Sequence, residues 1–254
     1  MNVVIIGTGN VGSMIGRLCI KAGHNISQIY SRTALHAQKA ANEFGAVAVN
    51  TIDDISKDAD LYIICIPDKV LTEEKLELSV PGKLVVHTAG SVSYNVLLHY
   101  SNRVGVLYPL QSISSSDTSL PEIPFLVDAN APEDRQILLS FAKDLSGNAS
   151  IISNQERGKI HLAAVFVNNF TNHLFEIAQQ LCEENSVDFN LLLPLIKNTV
   201  QKLEHSKAAE NQTGPALRRD DPTIQKHMQM LNHHPEYQKL YSMLSESIQS
   251  LHPL

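Results

Sequence analysis

The sequence predicts an α/β first half, a doubly wound and mostly parallel sheet, followed by an all-helical second half. Three observations predict it. Short apolar runs alternate with amphipathic helical stretches through the first 153 residues. The first of these runs ends in a glycine-rich turn, "GTGNVG", residues 7–12. From about Gln155 the strand signals stop and only helix-length patterns remain. The boundary is expected near residue 153, with domains at 1–153 and 154–254 and no flexible linker between them.

Taken in order, "NVVIIG" is apolar throughout, as in a strand covered on both faces. A helix follows in "VGSMIGRLCIKAG", with Val11, Ile15, Leu18 and Ala22 on one face and Gly23 as its stop. "ISQIYS" is a second strand, "ALHAQKAANEFG" a second helix ended by Gly45, and "AVAV" a short third strand. "DADLYIICIP" brings a fourth strand, ended by Pro67, which lacks the ladder donor. "GKLVVHTAG", "RVGVLYPL" and "IPFLVDA" are the fifth to seventh. "PEDRQILLSFAKDLSG" is a helix with proline at its start and Gly147 at its stop, and "NASIIS" is the last strand. The crossovers are expected to be right-handed.

In the second half, "ERGKIHLAAVFVNNFTNHLFEIAQQLCEEN" is apolar nearly all round, which predicts one long buried helix. Such a helix would pack on the sheet and leave a cleft between the domains. "VDFNLLLPLIKNTVQKLEH" is a second helix, with Pro194 early enough to be tolerated or to kink it. "DPTIQKHMQMLN" and "PEYQKLYSMLSESIQSL" are two more.

Composition excludes several function classes. The chain of 254 residues is 43% hydrophobic and 18% charged, as in a globular protein with a real core. A net charge of -6 argues against nucleic acid and acidic membranes as partners. No apolar run approaches the roughly 18 residues of a membrane span, and no signal peptide is evident. A cytoplasmic location is expected. Cys19, Cys65 and Cys182 form no Cys-x-x-Cys pair, and Cys19 and Cys65 read as small buried hydrophobes. "NHHPE", from Asn232 to Glu236, reads as a loop and helix cap, so no metal site is expected.

The glycines carry the chemistry. Gly7 allows a tight turn, Gly9 lets backbone amides approach a pyrophosphate, and Gly12 lets the helix pack close to the strand. With Thr8, Asn10 and Val11 they form a cradle at a helix N-terminus, where free N–H groups favour an anion. The end of the second strand selects the cofactor. An acid there would accept a ribose 2′-hydroxyl, but this chain has "YSRT". Ser31, Arg32 and Thr33 suit a 2′-phosphate and so favour NADP; the other reading makes Arg32 a solvated surface charge. Ile66 and Pro67 are expected near the adenosine and ribose, and Thr88 and Ala89 near the nicotinamide, with Gly90 permitting close approach. His87 has two readings, a catalytic group or a histidine held by hydrogen bonds at a strand end.

"MNVVIIGTGNVG", "YSRT", "IICIPD" and "HTAGS" together resemble the Rossmann NADP-binding domain of the β-hydroxyacid dehydrogenase and pyrroline-5-carboxylate reductase superfamily. "GKIHLAAVFVNNF" with "TGPALRRDDPTIQKHM" resembles the narrower group of Rossmann-like NADP oxidoreductases, some labelled deazaflavin-dependent, that carry an uncharacterised helical C-terminal domain. The resemblance covers essentially the whole chain. It departs at Arg219, where the group usually has the glycine of an Arg-Gly-Asp. The resemblance implies a site between the domains, a homodimer, and a proton donor with a substrate-orienting asparagine on the long helix. His161 would be the general acid and Asn168 would orient the substrate. The two are seven residues apart and so share a helix face with Asn172, whereas Lys159 and Asn169 point elsewhere. The bland reading has His161 and Asn168 satisfying each other or nearby backbone. Arg218 would clamp a substrate carboxylate, or else pair with Asp220 or Asp221 or seal a dimer contact. Ser91, Gln111 and Thr213 are further expected substrate contacts.

The expected function is hydride transfer between NADP and a small polar carbonyl, imine or hydroxy-acid substrate. Two rivals stand beside it. One is a non-catalytic NADP-binding sensor, favoured by the lack of a Lys-x-x-x-Asn pair, since Ala163 follows Lys159 by four. The other is transfer between NADP and a deazaflavin.

Overall fold

The computed structural model describes residues 1–74, 76–114 and 122–253. They form two compact units, Met1–Asn169 and Phe170–Leu254.

The first unit runs β1 (Asn2–Ile6), α1 (Asn10–Lys21), β2 (Asn25–Tyr30), α2 (Ala34–Phe44), β3 (Val47–Val49) and β4 (Leu61–Ile64). It continues with α3 (Asp68–Glu73), β5 (Leu84–His87), β6 (Arg103–Pro109) and β7 (Phe125–Ala129). It ends with α4 (Pro132–Ser146), β8 (Ala149–Ile151) and α5 (Asn154–Ala164). All eight strands fall where the sequence pattern puts them. They form one sheet in the order β3-β2-β1-β4-β5-β6-β7-β8. Pairing is parallel except between β6 and β7, which run antiparallel.

The central strands explain the unbroken apolar runs. Val3 to Ile6 and Leu61 to Ile64 are buried, because each strand is covered on both faces. Ile5, Ile63 and Val86 join one core with Ile15, Leu18 and Phe141; Ile6, Tyr62 and Val85 join a second with Leu97 and Tyr100. Strand order reverses between β1 and β4, so the crevice beyond their carboxyl ends is the expected ligand position.

The second unit holds α6 (Thr171–Glu184), α7 (Leu193–Gln201), α8 (Asp221–Met230) and α9 (Pro235–Leu251). Pro194 sits in the first turn of α7, where its missing N–H costs nothing, so it starts this helix and does not kink it. Pro222 and Pro235 do the same in α8 and α9. His234 is the N-cap of α9, stacks on Tyr237 and bonds Glu184 at 2.8 Å, so the paired histidines are used as a cap. Arg219 has φ +55, the left-handed conformation that glycine takes without strain. Its Nη2 donates to the carbonyl of Gln249 at 3.0 Å.

Two expectations need correction. The long helix runs unbroken from α5 to α6 but is not α-helical throughout: Val165–Phe170 is a π-helical segment. Nor is it buried. Leu162, Phe166, Val167 and Phe170 are each more than half exposed. An apolar helix surface specifies burial but not by which chain, and in the single chain these side chains face solvent. The short α3 was also absent from the sequence reading, because its six residues are too few to show a helical period. No helix among the described residues is long and apolar enough to cross a membrane.

Candidate functional site

The turn after β1 is built so that two glycines are dictated by backbone. A Cβ on Gly7, at φ +112, would lie 2.2 Å from the carbonyl oxygen of Cys65, and one on Gly12 would lie 2.1 Å from the carbonyl oxygen of Gly7. Gly9 differs: its φ is -72 and nothing lies within 4 Å of an added Cβ. Gly9 is the N-cap of α1, with no side-chain cap and no acidic residue in the first turn. The first-turn N–H groups therefore keep their capacity to bind an anion, and the partial positive charge of the helix end adds to it. Asn10 Nδ2 ties this turn to the carbonyl of Ile113 at 3.1 Å, beyond β6. The empty space over Gly9, the free amides and the missing acid together fit a pyrophosphate.

Beyond β2, Ser31, Arg32 and Thr33 precede α2, and Thr33 is its N-cap without a side-chain bond. Arg32 is 74% exposed, and its nearest acid is Glu74, at 3.8 Å. The guanidinium is thus free to turn to a phosphate. Ile66 is half-buried and Pro67 exposed beyond β4.

A cleft of about 680 Å³ opens beyond β5 and β6. Thr88, Ala89 and Gly90 line it from the β5 loop, Tyr108 and Gln111 from β6 and its continuation, and His161, Asn168 and Asn169 from the helical segment. His161 Nδ1 and the Tyr108 hydroxyl are 3.0 Å apart, with the rings edge to face at 5.8 Å. Both press on Gly90, where a Cβ would meet His161 Nδ1 at 2.5 Å and Tyr108 Cζ at 2.8 Å. The close approach that Gly90 permits is thus, within the chain itself, that of this pair. Burial raises the pKa of the Tyr108 phenol, the Asp68 carboxylate raises it further, and Arg157 draws it partly back. Tyr108 therefore keeps its proton at neutral pH.

Arg157 holds the cleft together from behind. It is fully buried, one helical turn before His161. Its Nε donates to the carbonyl of Gly90 at 3.2 Å, and its Nη2 donates to the carbonyl of Val92 and to Asn154 Oδ1, both at 2.6 Å. Burial lowers its pKa. The α5 start is fixed by a capping box between Ser153 and Glu156. Helix and β5 loop are thereby locked in register, which places His161 against Gly90.

His87 is the strand-end histidine and not a cleft group. It is fully buried, and its Nδ1 accepts from the Ala89 N–H at 3.1 Å. Burial lowers its pKa to about 4, with Arg157 adding to the effect. The Cys19 and Cys65 thiols are pushed up to about 12 by burial, as befits inert core groups.

Of the expected site residues, the structure brings Thr88, Ala89, Gln111, His161 and Asn168 to one cleft. Ser91 Oγ donates to Asp68 Oδ2 at 3.2 Å, and Asp68 lines the cleft. Asn169 also lines it, contrary to the helix-face expectation. Ile160, Ala163, Ala164, Val165 and Val167 line it too, so the cleft borders most of the helical segment and not a single helix face. Asn172, Thr213 and Arg218 belong to the second unit. There Gly214, at φ +105, turns the loop before Arg218. Asp220 caps α8, and its pKa is lowered chiefly by hydrogen bonds from Thr223 and in smaller part by Arg218. Tyr108, Asp68 and Arg157 were missed by sequence reasoning. Only Arg157 left a signal, its i, i+4 spacing from His161.

Comparison with known proteins follows the same division. Residues 2–90 match the family described as NADP oxidoreductase coenzyme F420-dependent, and residues 123–248 match the domain of unknown function DUF2520. A solved structure from Bacteroides fragilis, described as a "putative NADP oxidoreductase", is 35% identical, with 98% of each chain covered and a TM-score of 0.88. An imine reductase from Myxococcus stipitatus in complex with NADP+ is 17% identical, with 99% of this chain and 96% of that one covered and a TM-score of 0.65. A 1-pyrroline-5-carboxylate reductase from Streptococcus pyogenes is 14% identical, with 98% of each chain covered and a TM-score of 0.64. No curated protein matches.

Proposed function

We propose, for a chain that belongs to the family of NADP oxidoreductases carrying a C-terminal DUF2520 domain, that it is an enzyme binding NADPH and reducing a small polar carbonyl or imine, or oxidising the corresponding hydroxy acid or amine. The observation that carries this reading is the empty, uncapped N-terminus over Gly9, followed by Arg32 where an acid would select NAD. Gly7 to Gly12 hold the pyrophosphate, and Ser31, Arg32 and Thr33 hold the 2′-phosphate. Ile66 and Pro67 flank the adenosine side, and Thr88 and Ala89 the nicotinamide side. When bound, the reduced nicotinamide supplies the hydride.

The chain's own residues do the rest. Gly90 brings the β5 loop against His161 and Tyr108. As the acid, the imidazole carries a proton on each ring nitrogen: Nδ1–H donates to the Tyr108 hydroxyl oxygen, and Nε2–H is left for the substrate. His161 then acts as general acid toward the substrate oxygen or nitrogen. Asn168 orients the substrate, with Ser91 and Gln111 as further contacts.

The exposed Leu162, Phe166, Val167 and Phe170 support a homodimer in which these apolar side chains are covered by a second copy. A second reading has one support, the family description matched by residues 2–90: transfer between NADP and the deazaflavin coenzyme F420.

Fluorescence titration with NADPH and NADH tests the reading. NADPH is expected to bind at least about tenfold more tightly, and Arg32→Ala to remove most of that difference, as loss of a charge-assisted contact of about 1.5–3 kcal/mol requires. Equal binding of the two nucleotides, or none at millimolar concentration, refutes it. Addition of oxidised F420 to the NADPH complex tests the second reading through the change in its absorbance.

A further inference from the structure

Resting on the reading above, the charge pattern of the cleft deepens it to a class of substrate. Among the described lining residues, Asp68 is the one carboxylic acid; the rest are apolar or polar side chains, His161 and Tyr108 among them. No lysine or arginine is among them. Asp68 is the first residue of α3, and its Oδ2 accepts from the Ser91 hydroxyl at 3.2 Å. Ser91 follows directly on Gly90, the residue pressed by His161 and Tyr108. The carboxylate is therefore fixed to the same loop that carries the reacting end of the cleft. Arg157, behind this loop, is fully buried and does not line the cleft; its Nε and Nη2 donate to the Gly90 and Val92 carbonyls. Both charges reach Tyr108, and there the effect of Asp68 outweighs that of Arg157.

We propose that Asp68, held by Ser91, is the specificity residue of the cleft, recognising a positively charged nitrogen at the reacting centre, so that the substrate is an iminium ion and the product an amine. A carboxylate beside the reacting carbon is disfavoured by the same group. In the reaction the iminium carbon accepts the hydride pair from the reduced nicotinamide, which is oxidised. The C=N π pair becomes the nitrogen lone pair, and the amine takes a proton from His161, which solvent restores, and leaves as ammonium. An iminium already carries the proton that a neutral carbonyl would need from His161. Asp68 faces the positive charge before transfer and the ammonium after it.

The test compares three probes of one size: cyclopentylammonium, cyclopentanol and cyclopentanecarboxylate. Their binding is measured by calorimetry to the full chain, with and without NADP+, for native protein and Asp68→Asn. The ammonium is expected to bind best to native protein. Asp68→Asn is expected to weaken it about three- to tenfold while leaving the alcohol unchanged, the size of a hydrogen-bonded charge contact that is partly solvated. Added salt is expected to weaken the ammonium alone. NADPH affinity, read by fluorescence, is expected to be the same for both proteins. The proposal is overturned if the carboxylate binds native protein as well as the ammonium does, if no ammonium binding saturates, or if the substitution leaves ammonium binding unchanged. It is also overturned if Asp68→Asn weakens NADPH, which would make Asp68 a cofactor contact. Failure of native protein to bind NADPH strikes the cofactor reading alone, because the nucleotide-free ammonium arm still decides the role of Asp68.

Discussion

Substitution of Gly90 by alanine probes the packing that builds the cleft. Its φ lies outside the left-handed region, so the new residue meets no backbone strain, and the effect is steric. The added methyl would lie 2.5 Å from His161 Nδ1, 2.9 Å from His161 Cγ and 2.8 Å from Tyr108 Cζ, where ordinary contact begins at 3.4 Å. Neither ring can yield alone, because their hydrogen bond at 3.0 Å couples them. Overpacking of this kind costs about 1–3 kcal/mol, against which the stiffer unfolded chain returns about 0.4–1 kcal/mol. A fall in Tm of roughly 2–8 °C is expected in a thermal melt followed by circular dichroism. The decisive assay is the double-mutant cycle with His161→Ala, which removes two of the three close contacts. In that background Gly90→Ala is expected to cost at least about 1 kcal/mol less than in native protein. Costs that add within about 0.5 kcal/mol, or a Tm unchanged by Gly90→Ala, would refute the argument that His161 and Tyr108 set this position.

Two further predictions use the same structure. Gly9→Ala is expected to leave Tm within about 2 °C of native, because nothing lies within 4 Å of the new methyl, yet to weaken NADPH binding; Gly12→Ala, aimed at a backbone oxygen 2.1 Å away, is expected to destabilise by about 3 kcal/mol or more. If both substitutions act alike on stability and binding, the division between packing and ligand glycines is wrong. His87, with its pKa lowered from 6.5 to about 4, makes stability pH-dependent. The unfolded imidazole takes a proton below its ordinary value and the folded one only near the lower value, so stability falls as pH drops through that window, by about 3 kcal/mol in all. Urea titrations should show His87→Asn, which retains an acceptor for the Ala89 N–H, losing less stability than native protein between neutral pH and pH 4; parallel profiles would exclude His87 as the source.

The glycine turn and the central strands were legible because their causes are local. Val3 to Ile6 must be apolar at every position when both faces are covered, and no partner strand need be known to see it. Gly7 and Gly12 are fixed by backbone a few residues away or at the end of the adjacent strand. The direction of β7 left no such mark. Apolar patterning is the same in a parallel and an antiparallel strand, and only the lack of a helical pattern between "RVGVLYPL" and "IPFLVDA" hints at the reversal.

Tyr108, Asp68 and Arg157 were hidden for a different reason. Each joins the cleft or its support through pairing over a long separation, and none stands in a spaced motif. Tyr108 reaches His161 across 53 residues, Asp68 reaches Ser91 across 23, and Arg157 reaches Gly90 across 67. Sheet order converts those separations into contacts, since β4, β5 and β6 are neighbours and their carboxyl ends deliver Asp68, Gly90 and Tyr108 side by side. The helical side failed in phase and not in composition. Counting by α-helical turns puts Asn168 with His161 and excludes Asn169, but the cleft borders most residues from Ile160 to Asn169 and so takes in both. A π-helical turn exchanges hydrogen-bond partners without any change in residue type, so the sequence holds no periodic trace of it. The π-helical segment from Val165 to Phe170 lies on the helical wall of the cleft, after His161 and across both asparagines, so a count of α-helical faces was the wrong measure of what borders that space.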